Sequence, residues 1–578
     1  DMAVKDGVIF VRAEPHRRVS YAELIGEKEF SLKLDPAAPL KNPKDYTIVG
    51  QPLPRPDIPG KVTGIHTYMQ DFRVPGMLHA RVVRPPAIGA TLQSVDESSV
   101  QGVKGARVVR QGSFLAVVAE SEWGAVKAAR ALKATWSAWQ GLPEPSKLWE
   151  HVRGTKIAKD DVAVDRGDPK AAIAGAAKKV EAVYAYPFQN HAPMEPMNAT
   201  AKYTPDRCEV WVPTQNGEAA FAATLAASGL PADKCEVYKI NLGGGFGRRG
   251  AFHDYVTQAV LIAKQIPGTP VKLLWSREED MQHGHYHPIM MAKLTGGLDA
   301  NNNLVALHVR LSGQSILAAV RPHIVEQQKG RDPLTFQGLA DTGEHAFGYS
   351  IPNLLIDHAM RNTHVPPGFW RGVNINQNAV FMECFMDELA QAAGQDEVEF
   401  RRKNMAGLPR NLAALNAVAE RIGWGKPAKQ GVYRGLAQMK AFNSFVAAAA
   451  EISVRDGNKV KIHRIVAATD PGYAVNPAQI ERQVSGSFVY GLSGLFMQEC
   501  TVKDGAIQQT NFHDYPSMKI AQMPKVETII LQPGGAVWGG IGEPTICVAA
   551  PAVLNAIAKA TGKRLRNVPI KHDGFEMV

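Results

Sequence analysis

The sequence predicts a multidomain α+β fold, and three observations carry that prediction. The chain has 578 residues, too many for one hydrophobic core. Its composition is that of a globular protein, with 45% hydrophobic and 21% charged residues. Its apolar pattern alternates short β-rich runs with helical stretches, without internal repeats or low-complexity segments.

Each part follows from local chemistry. The opening segment, DMAVKDGVIFVRAEPHRRVSYAELIG, reads as strand, turn and helix that begin inside a domain, with no signal peptide visible. Prolines at positions 36, 39, 43, 52, 54, 56 and 59 favour an extended linker over helix. From Lys61 to Trp136, the runs MLHARVVR, GARVV and FLAVVAE precede a helical stretch, which predicts a compact α+β domain. A polar connection over 137–160 leads into a long region of alternating strands and helices. The predicted division is therefore 1–45, 46–140 and 141–578. No run of 18 apolar residues is present, so any membrane attachment is expected from elsewhere.

The net charge of +10 disfavours nothing by itself, but the Lys and Arg residues are scattered and not interleaved with aromatics, so polynucleotide binding is not indicated. Cys208, Cys235, Cys384, Cys500 and Cys547 form no C-x-x-C pair, which argues against an iron-sulfur cluster, haem attachment or structural zinc in this chain.

One motif points to a nicotinamide- or flavin-dependent enzyme. Gly245, Gly247 and Gly250 satisfy G-x-G-x-x-G between an expected strand and helix, and Glu278, Glu279 and Asp280 follow a further strand, VKLLW. The competing reading is a Gly-rich turn that brings backbone close to backbone or ligand. Glu543, in GGIGEP just ahead of an expected helix, gains from the helix dipole and is expected to stay ionised as a general base requires, although a capping acid has the same signature. His283, His285 and His287 alternate in HGHYHP and are expected on one strand face, as pocket-wall or surface residues without a fourth metal ligand. Glu383 and Asp387, one turn apart, resemble an acid-base pair, but an amphipathic helix shows charges at the same spacing, so structural roles are expected and the Met and Phe residues around them are expected in the core.

Five segments, GKVTG (60–64), QNHAPMEPMNAT (189–200) with PTQN (213–216), GGGFGRR (243–249), GFWRGVNINQNAVFMECFMDELA (368–390) and GGIGEP (539–544), resemble in order and spacing the large subunits of the xanthine oxidase family of molybdenum hydroxylases. The likeness is to the subgroup of isoquinoline oxidoreductase and membrane-associated aldehyde dehydrogenases. It implies an α/β hammerhead domain followed by a large molybdopterin-binding domain. It also implies a molybdenum cofactor, molybdopterin cytosine dinucleotide, held by its own dithiolene. Glu543 is then the catalytic base. Gln215, Gly244, Gly245, Phe246, Gly247, Arg371, Gly372, Gln483 and Gly542 are then cofactor-binding residues.

Purine-oxidising members carry a Glu after the glycine turn and an Arg ahead of the strand corresponding to YSIPN. Arg248 and Arg249 follow the turn here, and GLADTGEHAFGY has no Arg. The family's MGQG-type segment is also missing from these residues. The resemblance then implies oxidation of an aldehyde to a carboxylic acid with water as oxygen source, or alternatively hydroxylation of an N-heteroaromatic such as isoquinoline. Electrons would leave through a small subunit with 2Fe-2S clusters, with a c-type cytochrome subunit as an optional further carrier. The expected location is periplasmic, with membrane association through a partner, or else cytoplasmic.

Overall fold

The computed structural model describes residues 1–27, 33–139 and 148–578, which divide into two compact units, 1–49 and 50–578. In the first, strands Met2–Lys5, Val8–Val11 and Glu14–Ser20 form an antiparallel meander. The short helix Tyr21–Ile25 follows, opened by a capping box between Ser20 and Glu23.

The proline-rich segment does not stay extended throughout. Pro43–Asp45 forms a 3-10 turn and Ile58–Val62 a short helix, because Pro43 and Pro59 fall in the first turns, where the missing N–H costs nothing.

Three large sheets, with two small two-stranded ones at 92–96/133–136 and 502–503/506–507, build the second unit. A seven-stranded sheet runs in the order 235–240, 207–213, 198–204, 271–274, 78–82, 114–119 and 107–111. Strands from before and after residue 140 thus share one sheet, joined where Val271–Leu273 pairs in parallel with Leu78–Ala80. The helix Asp254–Lys264 packs Tyr255, Val256, Ala259, Val260 and Ala263 onto it. A five-stranded sheet (178–186, 290–298, 304–313, 353–360, 159–166) and a second sheet (433–441, 444–455, 459–470, 525–530, with 576–577 beside 459–470) enclose the largest core.

The helix Ile375–Ala393 runs through that core with 17 of its 19 residues buried, so it is not the amphipathic surface helix its charges suggest. Those charges are instead neutralised internally. Arg401, wholly buried, donates from Nε to Glu383 at 3.0 Å and from Nη1 to Asp387 at 2.7 Å, while the Gln438 N–H reaches Glu383 at 3.0 Å. The stretch Pro544–Thr561 is long and apolar enough to cross a membrane by composition. It is 83% buried inside the fold, however, as core helices are.

The Arg401 network yields the first expectation. Arg401→Met strands two carboxylates in an apolar interior and should lower stability by about 3–5 kcal/mol in urea unfolding, since removing one partner leaves uncompensated buried charge. A loss below about 1 kcal/mol would mean that water reaches Glu383.

Candidate active site

The site is assembled from four chain segments that meet around a cavity of about 800 Å³. The first is the glycine turn after strand Cys235–Ile240. It does not open a helix as a dinucleotide fingerprint requires, because the next helix starts later, at Asp254. The following strand Val271–Leu274 pairs with Asn198–Ala201 and not with Cys235–Ile240. Of the three acids after that strand, Glu279 is used in a capping box with Ser276, Asp280 accepts from Arg277 at 2.7 Å and Glu278 accepts from Asn511 at 3.1 Å. The nicotinamide reading fails on this geometry.

The turn is held open by buried charge. Arg249 donates from Nε to Gly244 O at 3.0 Å and from Nη1 to Pro213 O at 3.1 Å, and pairs with Glu195 at 3.2 Å. Glu195 in turn accepts the Gly243 N–H at 2.9 Å. Arg248 is clamped by both oxygens of Asp254 at 2.9 Å. Both arginines are therefore structural and turn away from the cavity. Phe246 adopts φ 55°, an uncommon conformation for a bulky residue, and its ring packs on Tyr490 at 4.2 Å.

The second segment, PTQN, places Gln215 at the cavity wall, where its Oε1 accepts the Gly247 N–H at 3.0 Å and leaves its amide NH2 uncommitted. The third is the turn at Arg371. Its N–H donates to Phe246 O at 2.9 Å. Its guanidinium donates to Gly542 O at 2.8 Å, to Gln483 Oε1 and Ser487 Oγ, each at 3.0 Å, and to Gln483 O at 3.2 Å. Arg371 thus ties the glycine turn, the helix Pro477–Phe496 and the GGIGEP loop together. The fourth segment brings Glu543, whose Oε1 accepts the Gly372 N–H at 2.9 Å.

Phe246, Gly247, Gln215, Arg371, Gln483, Gly542 and Glu543 line this one cavity. Gly244 faces a second, mostly apolar cavity of about 460 Å³ on the other side of Phe246. Gly245 is buried behind Gln215 and lines neither, and a Cβ there would lie 2.3 Å from Gln215 Oε1. Gly372 acts through its N–H.

Glu543 is not a helix cap, since its side chain makes no capping bond and a 3-10 turn, Pro544–Val548, precedes the α-helix. Its carboxyl is pushed up from its ordinary value by burial, and by the charge of Glu344 to a smaller degree. The Gly372 N–H and Arg371 pull the other way. The dipole argument from sequence therefore had the balance reversed, because burial outweighs the favourable partners.

The three histidines do not share a strand face. His283 ends the helix Arg277–Gln282 and lines a separate cleft beside Arg84. His285 stacks on Phe252 at 3.5 Å. His287 is wholly buried, against Pro288 O and Val373 O, so it is neither wall nor surface. No group of three or more metal-ligating side chains occurs among the described residues.

Sequence reasoning missed several wall residues, namely Arg321, Gln337, Glu344, His345, Phe369 and Phe442. Phe442 had a readable signal. Ala441 pairs with Ser444, so Phe442 and Asn443 form a two-residue hairpin turn with φ 50° and 59°. Such turns favour Asn-Gly, and a Phe there points to a role beyond turning. The tip also braces the GGIGEP loop, since Gly540 N–H donates to Phe442 O at 2.7 Å and Ser444 Oγ to Gly540 O at 2.7 Å.

Two molybdopterin cofactor-binding domain models match, over residues 151–405 and 371–524. The chain is 30% identical to the beta chain of isoquinoline 1-oxidoreductase from Brevundimonas diminuta, over 93% of this chain and 70% of that one. It is 31% identical to a nicotinate dehydrogenase component of Pseudomonas putida, over 98% of this chain but 50% of that protein, so it spans half the length of that relative. It is 26% identical to a membrane-bound aldehyde dehydrogenase of Gluconacetobacter polyoxogenes, over 96% and 76%. The fold matches quinoline 2-oxidoreductase from Pseudomonas putida 86 with TM-score 0.77 at 15% identity, over 90% of this chain and 97% of that one. The two matched domain models thus define a molybdopterin-binding protein. The chain belongs to the xanthine oxidase family of molybdenum hydroxylases.

A carboxyl raised by burial costs the native state nothing below its unfolded value and progressively more as pH rises through its folded value. Glu543→Gln removes that cost. Its Tm should therefore be equal to or higher than that of the unsubstituted protein at pH 7, with the difference vanishing as pH falls below about 4.5. A lower Tm at pH 7 would show that the ionised carboxylate is net stabilising.

Proposed function

We propose that this chain hydroxylates an electron-poor sp² carbon with oxygen from water, using Glu543 as general base. The observation that carries the reading is the convergence of Glu543, Gln215 and the Phe246–Gly247 turn on one cavity. A bound molybdopterin, for which the cytosine dinucleotide is the form we propose, supplies a two-electron acceptor and activates the water-derived oxygen. The glycine turn, the Gln215 amide, the backbone at Arg371–Gly372, Gln483 and Gly542 would hold it.

The chain's own part is placement and proton transfer. Gly372 holds Oε1 of Glu543, which leaves Oε2 to take the proton from the nucleophile. Burial raises the affinity of that carboxylate for a proton, bringing it closer to the working range of a base at neutral pH. Arg371 sets the position of the loop through Gly542 O.

An aldehyde substrate is the first reading, supported by the likeness of GFWRGVN and GGGFGRRGAFHDY to aldehyde-oxidising members and by the 26% identical relative. A specific observation favours the second reading, an N-heteroaromatic. Phe246, Phe369 and Phe442 line the cavity together, a wall suited to a planar ring, and two relatives at 30–31% identity are named for such substrates.

Electrons are proposed to leave through a small 2Fe-2S subunit, with a c-type cytochrome subunit as a further carrier. The cysteines support this reading, since all five are buried and unpaired. A periplasmic setting, membrane-associated through a partner, accords with it.

Glu543→Gln should keep its molybdenum but lose turnover on aldehydes and azaarenes by about a hundredfold to ten-thousandfold or more, because Gln cannot accept the proton. Retention within about threefold would refute the base assignment. In the unsubstituted enzyme, kcat/KM should fall on the acid side with a midpoint above 4.5, following the raised carboxyl. A second measurement addresses the partner. A purified chain free of iron-sulfur protein should not reduce a protein acceptor, and an iron-sulfur subunit should co-purify from its native host. Full-rate reduction by the isolated chain would overturn the electron route.

A further inference from the structure

Arg321 lines the same cavity as Glu543, yet its guanidinium enters no hydrogen bond or ion pair among the described residues. The contrast with Arg371 is direct, since the guanidinium of Arg371 is committed to Gly542, Gln483 and Ser487. The remaining charged side chains of the wall are two carboxylates, Glu344 and Glu543. An unpaired cation facing a cavity that already holds two carboxylates has an electrostatic use when the ligand brings an anion of its own.

Arg321 is exposed to solvent, but the backbone that carries it is anchored. Arg321 sits at the junction of two short helices, Ile316–Val320 and Pro322–Gln327. Its N–H donates to Leu317 O at 2.8 Å and its carbonyl accepts from the Ile324 N–H at 2.9 Å. The first helix is anchored by Asp332, 2% exposed, which accepts from Ser315 Oγ at 2.7 Å and Leu317 N–H at 3.1 Å. The other oxygen of Asp332 accepts the Leu334 N–H at 2.9 Å, and Leu334 is itself a wall residue. One buried carboxylate thus fixes both the helix that leads into Arg321 and the apolar wall residue Leu334.

Resting on the hydroxylase reading, we propose that Arg321 is a specificity-determining residue that binds a carboxylate carried by a planar aromatic substrate. The three phenylalanines then contact the ring, and Glu543 faces the carbon that reacts. The carboxylate takes no part in the chemistry. Its fork-like pairing with the guanidinium orients the ring, and Glu344 opposes it by like charge.

The test uses probes that differ in charge and little in shape. With the molybdenum-loaded enzyme in its native assembly, KM and kcat are measured for pyridine-3-carboxylate and pyridine-3-carboxamide. Calorimetry measures the binding of benzoate and benzamide. Arg321→Ala should raise KM for the carboxylate about tenfold or more, with kcat within about threefold and the carboxamide nearly unaffected, as loss of one charge-assisted pair predicts. Arg321→Lys should fall between, and Glu344→Gln should lower KM for the carboxylate. Benzoate should bind the unsubstituted protein more tightly than benzamide, and Arg321→Ala should erase that difference.

The inference is overturned if benzoate has no advantage over benzamide, or if Arg321→Ala changes acid and amide alike. The calorimetric arm does not depend on turnover. An enzyme that binds benzoate through Arg321 but oxidises neither aldehydes nor azaarenes upholds the anion site while removing the hydroxylase reading. Turnover of neutral azaarenes without benzoate preference does the reverse.

Discussion

The site depends on one side chain that does no chemistry. Arg371 reaches the GGIGEP loop, the helix Pro477–Phe496 and, through its own N–H, the glycine turn. These parts lie far apart along the chain, and their relative position within the unit is set by a guanidinium whose donors are spent on carbonyls, an amide and a hydroxyl. Nε and Nη2 carry these bonds, and the planar geometry of that edge fixes direction as well as distance. Burial lowers the proton affinity of Arg371, yet a guanidinium stays charged across physiological pH, so the knot does not loosen as Glu543 titrates.

A second layer holds that knot in place. Arg249 and Glu195 brace the glycine turn from behind, and Asn376 Nδ2 donates to Arg371 O at 2.8 Å. The amides of Asn374 and Asn378 bond carbonyls of the 334–337 segment, which joins the wall around Arg321 to the turn at Arg371. Polar groups buried this densely are costly unless satisfied, and their density around the cavity shows where the fold invests in precision over packing.

Much of the site was readable because it is local. PTQN, GGGFG, WRGVN and GGIGEP are short segments whose backbones carry the geometry, so their resemblance in order and spacing to one family implied a shared cavity. Electrostatics were less readable. Whether Glu543 stays ionised depends on what lies above it in space, and the helix that follows in sequence was the wrong predictor. The structural role expected of Glu383 and Asp387 agrees with their pairing to Arg401, but their burial was not readable, since the buried arginine that neutralises them comes from a later helix. Arg321, Glu344 and Phe442 come from loops and a hairpin tip without a motif, and their common wall exists in three dimensions alone. The three histidines show the converse, a conspicuous pattern whose members the fold sends to separate places.

The hairpin tip at Phe442 and Asn443 has a consequence for how this protein can change. Both positions sit at positive φ, where Asn-Gly would be more comfortable. Selection for thermal robustness alone would therefore drift toward asparagine or glycine at 442 and remove an aromatic wall from the cavity, so the residue found there separates variants kept for chemistry from variants kept for endurance.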